Sequence, residues 1–201
     1  MKKNKKKSNK DDLFIYGAYT KIVENEKHYT VLQSKYKTQA AYWLLIIFAA
    51  IGIIFSAEES IPIDRMLSVI IICFIGIIGN CFFWYEDIII QEKFLNINHF
   101  EATKLEKKYT WLPQVHHQHL CFSHKTMLKS KNIFYVGSNT ILFLILEFAL
   151  FTYLIQYNVG FSIAFVTIGV VIFLYFSRLM FVKAFTNELS VLEAMLHARK
   201  R

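Results

Sequence analysis

Apolar residues in this chain gather into long blocks separated by polar stretches, and the blocks set the architecture. They run Ala40 to Phe55, Met66 to Tyr85, Ile141 to Ile155 and Val159 to Val182. About 20 helical residues cross the roughly 30 Å of bilayer hydrocarbon. The second and fourth blocks meet that length directly; the first and third meet it once Gln39, Ser56, Thr140 and Tyr157 are taken in. The links between the first and second blocks and between the third and fourth are short. The pattern therefore predicts two transmembrane hairpins, over 39–85 and 140–182, and leaves no room for a folded domain on the side of the short links.

The polar stretches carry weaker periodicities. Residues 1–11 are dominated by lysine and predict a disordered basic tail. Over 12–38, Ile15, Tyr19, Ile22, Tyr29, Leu32 and Tyr36 recur near helical spacing, with Gly17 as a weak point, and predict an amphipathic juxtamembrane helix running into the first span. The loop 86–139 opens with Glu86 to Tyr109, free of Gly and Pro, which predicts a helix prolonging the second span. Pro113 should end it near Trp111 and Leu112, because a proline pushes the preceding residue out of helical geometry. Asn132 to Val136 and the stretch around His119 to Phe122 read as short strands, and Gly137, Ser138 and Asn139 as a turn and N-cap for the third span. In the C-terminal segment 183–201, Phe185, Leu189, Leu192 and Leu196 form an apolar stripe too short to stand alone in water, so that it must dock on the loop or self-associate. The expected class is an all-α membrane protein of four transmembrane helices in two hairpins, with a small cytoplasmic α or α+β layer.

Charge fixes the sidedness. Residues 1–39 hold ten Lys and Arg, the loop 86–139 seven and the tail from Arg178 five, whereas the link 57–65 holds only Arg65 and the turn 156–158 none. The positive-inside rule then places both termini and the long loop in the cytoplasm. The first block lies behind 39 mostly polar residues with no small-residue cleavage site after it, so the N-terminus is expected to be retained. The net charge of +8 has a local source in the opening MKKNKKKSNK. Beside a bilayer such a tail sets topology and touches anionic lipid headgroups, each basic residue contributing about 1 kcal/mol; no nucleic-acid partner is expected. Cys73, Cys81 and Cys121 show no paired spacing, so no disulfide is expected.

Several local patterns resemble the RipA family of octameric bacterial inner-membrane proteins, named for a requirement in intraphagosomal proliferation. They are Lys21, Ile22, Val23 and Glu24 followed by His28 and Tyr29; the aromatic end of the second span, Phe82, Phe83, Trp84 and Tyr85; Asn96, Ile97 and Asn98; Leu105 to Tyr109; and Gly137, Ser138 and Asn139. The likeness extends from about residue 15 to 185. It implies a homo-octamer in the inner membrane with a cytoplasmic ring, and no established enzymatic activity.

Candidate chemistry is sparse. His116, His117, His119, Cys121 and His124 crowd into nine residues. In a strand His117, His119 and Cys121 share a face and could ligate zinc. A second ligand pair at zinc-finger spacing is missing, so neither a bound metal nor a cofactor is expected. His116, His117, His119 and His124 offer the alternative of a proton-sensing group, beside the plain reading of loop residues. Glu147 is the carboxylate deep within a span and must face protein or water. Counted along the helices, Asn80 lies near enough to bond it. Gly76 and Gly79 in span two, and Ala49, Ala50 and Gly52 in span one, suit close helix approach; Trp43, Trp84, Tyr42 and Tyr85 suit the interfacial belt; Trp111 suits the core of the cytoplasmic layer. No nucleophile with a base, glycine-rich phosphate loop or HExxH site occurs, and an enzyme is not expected. Three functions remain: a non-enzymatic homo-oligomer supporting envelope or stress adaptation and host-associated growth, an ion or proton channel or transporter with Glu147 near its path, and a scaffold recruiting cytoplasmic proteins through 86–139.

Overall fold

The computed structural model describes residues 2–56, 64–116 and 124–200, with side chains over 10–56, 64–116 and 130–183. Its elements are α1 (Lys2–Ser56), α2 (Arg65–Trp84), a π-helical segment (Tyr85–Gln91), α3 (Glu92–Lys108), α4 (His124–Ile155) and α5 (Val159–Lys200). Among the described residues, four helical stretches are long and apolar enough to cross a membrane. The fold is that of a multi-pass helical membrane protein, with α1 paired to α2 and α4 paired to α5.

Helix ends on the short-link side are set by side-chain caps. Asp64 accepts the Leu67 N–H at 3.0 Å and starts α2; Asn158 accepts from Gly160 and Phe161 and starts α5. Both satisfy amides that have no partner within their own helix.

The spans pack through a seam of small and branched residues. Ile47, Ile51 and Ile54 of α1, Val69 and Cys73 of α2, and Leu142, Leu146 and Ala149 of α4 form its buried core. Gly76 and Gly79 let α1 approach α2: the Trp43 indole occupies the place a side chain at Gly79 would take, and its Nε1 donates to Gly76 O at 3.3 Å. Gly52 of the small patch expected on span one, by contrast, faces open space. The two tryptophans of the expected belt turn inward instead. Trp84 is buried and donates to Asn132 Oδ1 at 2.9 Å, while Tyr42 and Tyr85 remain exposed.

Several sequence expectations are overturned. Residues 2–11, expected to be a disordered basic tail, are helical and open α1. Asn132 to Val136 is helical, because Asn132, Tyr135 and Asn139 fall on one face of α4 and pack against α2. The helix runs through Gly137, Ser138 and Asn139 without a turn; Asn139 accepts from Asn80 and caps nothing. Trp111 is about half exposed, and the residue beside it, Leu112, is buried against Tyr19 and Ala102. No strand occurs among the described residues; the second candidate, His119 to Phe122, lies outside them, as do the side chains of Phe185, Leu189, Leu192 and Leu196.

Between α2 and α3 the helix widens rather than breaks. A π-turn inserts one residue per turn relative to an α-helix. As a result adjacent residues point inward together, Asp87 with Ile88 and Gln91 with Glu92. Beyond it, α3 returns antiparallel along the first half of α1 and ends at Lys108, where the Tyr109 N–H bonds Leu105 O, somewhat earlier than Pro113 alone suggests.

Candidate functional site

Every seventh residue of α1, from Tyr19 through Glu26, Gln33, Ala40 and Ile47 to Ile54, faces the protein interior. A seven-residue repeat is the signature of a helix seam facing a partner. In the span the seam is apolar; below it Glu26 and Gln33 take the same positions. The partner face on α3 also repeats by seven, at Glu92, His99 and Glu106. Antiparallel packing brings the two rows together as rungs: Gln33 Nε2 donates to Glu92 Oε2 at 2.7 Å, Glu26 Oε1 lies 3.4 Å from His99 Nδ1, and the Tyr19 hydroxyl donates to Glu106 Oε1 at 2.8 Å.

The rung nearest the spans is joined to α4. Lys131 Nζ donates to Gln33 Oε1 at 2.8 Å and to Glu92 Oε2 at 3.2 Å. Next to it, the fully buried Tyr135 donates to Asp87 Oδ2 at 3.0 Å. Asn80, predicted to bond Glu147, donates instead to Tyr135 O at 3.2 Å and Asn139 Oδ1 at 2.8 Å. Glu147 sits two turns further along α4, in a notch over Gly169 of α5, with Oε2 buried and without a hydrogen bond. The structure thus separates the two intramembrane polar residues.

The rungs furthest from the spans form the candidate site. Pro113 turns the chain so that His116 inserts between α1 and α3. Its Nδ1 lies 2.6 Å from Glu106 Oε1 and its Nε2 lies 2.7 Å from Glu26 Oε2. Glu106, fully buried, also accepts the His116 backbone N–H at 3.1 Å, and the Tyr19 hydroxyl oxygen lies 3.1 Å from Pro113 O. The His99 ring stands edge-on to that of His116 at 5.0 Å. Apolar packing by Ala102, Leu112, Ile15 and Ile22 keeps water from one side. On the other side lies a cavity of about 580 Å³ walled by Glu26, His99, His116, Tyr16, Leu95 and Val115.

Electrostatics follow from these contacts. Hydrogen bonding to Glu26 raises His116 most; burial opposes it, Glu106 adds to it, and the imidazolium persists to about 9. Burial works against ionising Glu26, but the hydrogen bond with His116 and the His99 ring 3.4 Å away outweigh it and hold the carboxyl near 2. Glu106 is likewise lowered against its burial by His116 and Tyr19. Burial and then Glu106 push the Tyr19 hydroxyl well above its ordinary range, keeping it a donor.

Of the histidines predicted as a sensing or metal group, His116 is in this site; His117, His119 and Cys121 lie outside the described residues, as does the side chain of His124. Glu26, His99, Glu106 and Tyr19 had no place in the sequence reading of candidate chemistry. Their signal was the seven-residue spacing carried from the apolar span into polar sequence. The fold and site together define a helical membrane protein with a buried histidine–carboxylate cluster outside its spans. No family model, curated protein or solved structure matches the chain.

Proposed function

We propose that this chain is a non-enzymatic protein of the bacterial inner membrane, with both termini and the α1–α3 polar layer in the cytoplasm, that assembles with copies of itself and serves envelope or stress adaptation and host-associated growth. The observation that carries self-assembly is the fourth span: 6% of its apolar window is buried within the protomer, against 22% to 33% for the others. Helices in lipid associate through van der Waals packing rather than hydrophobic burial, so a span left this exposed along most of its length is the surface open to a second copy. The lysine distribution supports the orientation, and the likeness to the RipA family supports the octamer and the biology.

Native mass measurement of the complex in detergent and in nanodiscs is expected to give a homo-oligomer, eight chains on the family likeness. A monomer in both media sinks the assembly reading. A reporter at Ser130 active only in the periplasm sinks the orientation. Loss of the gene is expected to impair growth under envelope stress and inside host cells; unimpaired growth removes the adaptation role.

One observation favours a second reading, a proton or ion path. Glu147 is a buried intramembrane acid whose Oε2 has no hydrogen bond, and such groups mark conduction routes in membrane proteins. In liposomes holding the purified protein, a proton or cation flux abolished by Glu147→Gln supports this reading, and absence of flux disposes of it.

A further inference from the structure

We propose that Glu26, His99 and His116 form a binding site for a divalent transition-metal ion of the zinc class, with Glu106 as the outer carboxylate that orients His116. One ligand atom from each of the three residues lies within 4.8 Å of the others. With bonds of about 2.0–2.1 Å, tetrahedral ligand atoms stand roughly 3.3 Å apart. Bringing the three ligand atoms from within 4.8 Å to that spacing would close the set around an ion.

Four features distinguish this cluster from an ordinary ion-pair network. First, the His116 Nδ1 contact with Glu106 at 2.6 Å is the carboxylate–histidine arrangement that fixes ring orientation and makes the other nitrogen a better ligand. Glu106 is itself held by Tyr19 and by the His116 backbone, so the orienting group cannot swing away. Second, Glu26 Oε1 is buried and accepts no aligned hydrogen bond, although His99 Nδ1 stands 3.4 Å from it. A cation between them would satisfy both atoms. Third, two carboxylates, Glu26 and Glu106, flank the His116 ring, a donor environment that favours a cation. Fourth, the adjoining cavity supplies an entry path and a place for water as fourth ligand.

The donor set also selects the ion. Two imidazoles with one carboxylate suit zinc and its neighbours, whereas calcium and magnesium require oxygen ligands. On binding, the His116 Nε2 proton leaves to solvent, the metal takes the lone pair, and the Nδ1–H remains on Glu106. Because Glu26 belongs to α1, His99 to α3 and His116 to the segment after Pro113, the ion would join three parts of the chain at the far end of the polar seam.

The test uses the full-length protein in detergent, without a polyhistidine tag, stripped with chelator and titrated with Zn²⁺ and separately with Co²⁺. One ion per chain is expected, with Co²⁺ giving the visible absorption of a low-symmetry nitrogen and oxygen site. His116→Ala and His99→Ala should abolish the site. Glu106→Gln should weaken affinity about 10- to 100-fold while keeping the stoichiometry, the size expected of an orienting carboxylate. The exposed His28→Ala should change nothing. Should His116→Ala fail to fold, as judged by elution volume and circular dichroism, His99→Gln decides the matter alone. Absence of stoichiometric binding overturns the proposal. So does binding that survives His99→Gln but disappears when His117, His119, Cys121 and His124 are replaced together. Neither result bears on self-assembly, which is read by mass.

Discussion

Individual residues in this protein differ sharply in what they tolerate, and two glycines show why. Nothing lies within 4 Å of a side chain at Gly17, in the middle of α1, so Gly17→Ala is expected to stabilise the protein by up to about 1 kcal/mol through helix propensity. At Gly79 the Trp43 indole already fills the space, so Gly79→Ala must displace a ring that bonds Gly76 O, at a cost of about 1–3 kcal/mol. Thermal unfolding in detergent should move in opposite directions for the two variants; movement in the same direction would contradict the packing described for α1 and α2. The titratable residues make a second prediction, for the metal-free protein. His116 rises from 6.5 to about 9 in the fold, so its pairing with Glu26 and Glu106 contributes fully below pH 6.5 and is lost as pH rises through about 9. Glu26 falls from 4.5 to about 2, so its contribution is present above pH 4.5 and is lost as pH falls towards 2. The groups facing His116 are Glu26 and Tyr19 of α1 with His99 and Glu106 of α3. Amide exchange over residues 12–30 should therefore accelerate above about pH 9 beyond its intrinsic rate, and His116→Gln should remove that extra limb. An unchanged limb in the variant would assign the alkaline loosening to other groups.

At the scale of elements, the π-segment sets how α3 meets α1. Its extra residue rotates α3 by about 100° relative to a continuous α-helix, and that rotation is what turns Glu92, His99 and Glu106 towards Gln33, Glu26 and Tyr19. Deleting the half-buried Ile90 is expected to restore α geometry and carry all three rungs off α1. Hydrogen exchange should then show residues 12–33 losing protection while the spans keep theirs; retained protection in α1 would mean the rungs are not what holds the layer. This element also marks the limit of what the sequence reveals. The spans were legible because lipid demands runs of apolar residues, and the helix over 12–38 was legible from Ile15, Ile22 and Tyr29. The rungs were not, because a search for apolar periodicity passes over Glu26 and Gln33 even though they continue the repeat of Ile47 and Ala40. The π-turn is written in no composition, since Tyr85 to Gln91 reads as ordinary helix. The strand assigned to Asn132 to Val136 rested on residue type, and contact with Asn80 and Trp84 overrode it. His116 was found by its neighbours in sequence, whereas its partners come from residues 90 and 10 positions away.

For the whole molecule, the unequal burial of the spans says where a second copy has room to dock. The first three are packed together around the Ile47, Cys73 and Leu142 core, while α5 rests mainly on α4, through the Phe143–Phe173 stack at 4.1 Å and the notch of Gly169 that receives Glu147, and meets the rest of the protein at its inner end through Met180. Away from α4, the exposed face of α5 carries Gly160, Ala164, Thr167 and Val171, small or β-branched residues at spacings of four, three and four. Close helix approach in lipid uses such rows, because a short side chain lets two backbones come together and gain dispersion along their length. Ser162 lies on the opposite, buried face of the same turn. With Cys73, Cys81 and Cys121 replaced by serine, oxidation of membranes containing Ala164→Cys is expected to link copies into dimers, and Ser162→Cys is expected to stay monomeric. Dimers from Ser162→Cys alone would place the subunit contact on another face. Dimers from neither, in a protein whose native mass is a multiple of one chain, would move the contact off α5 and onto the polar layer.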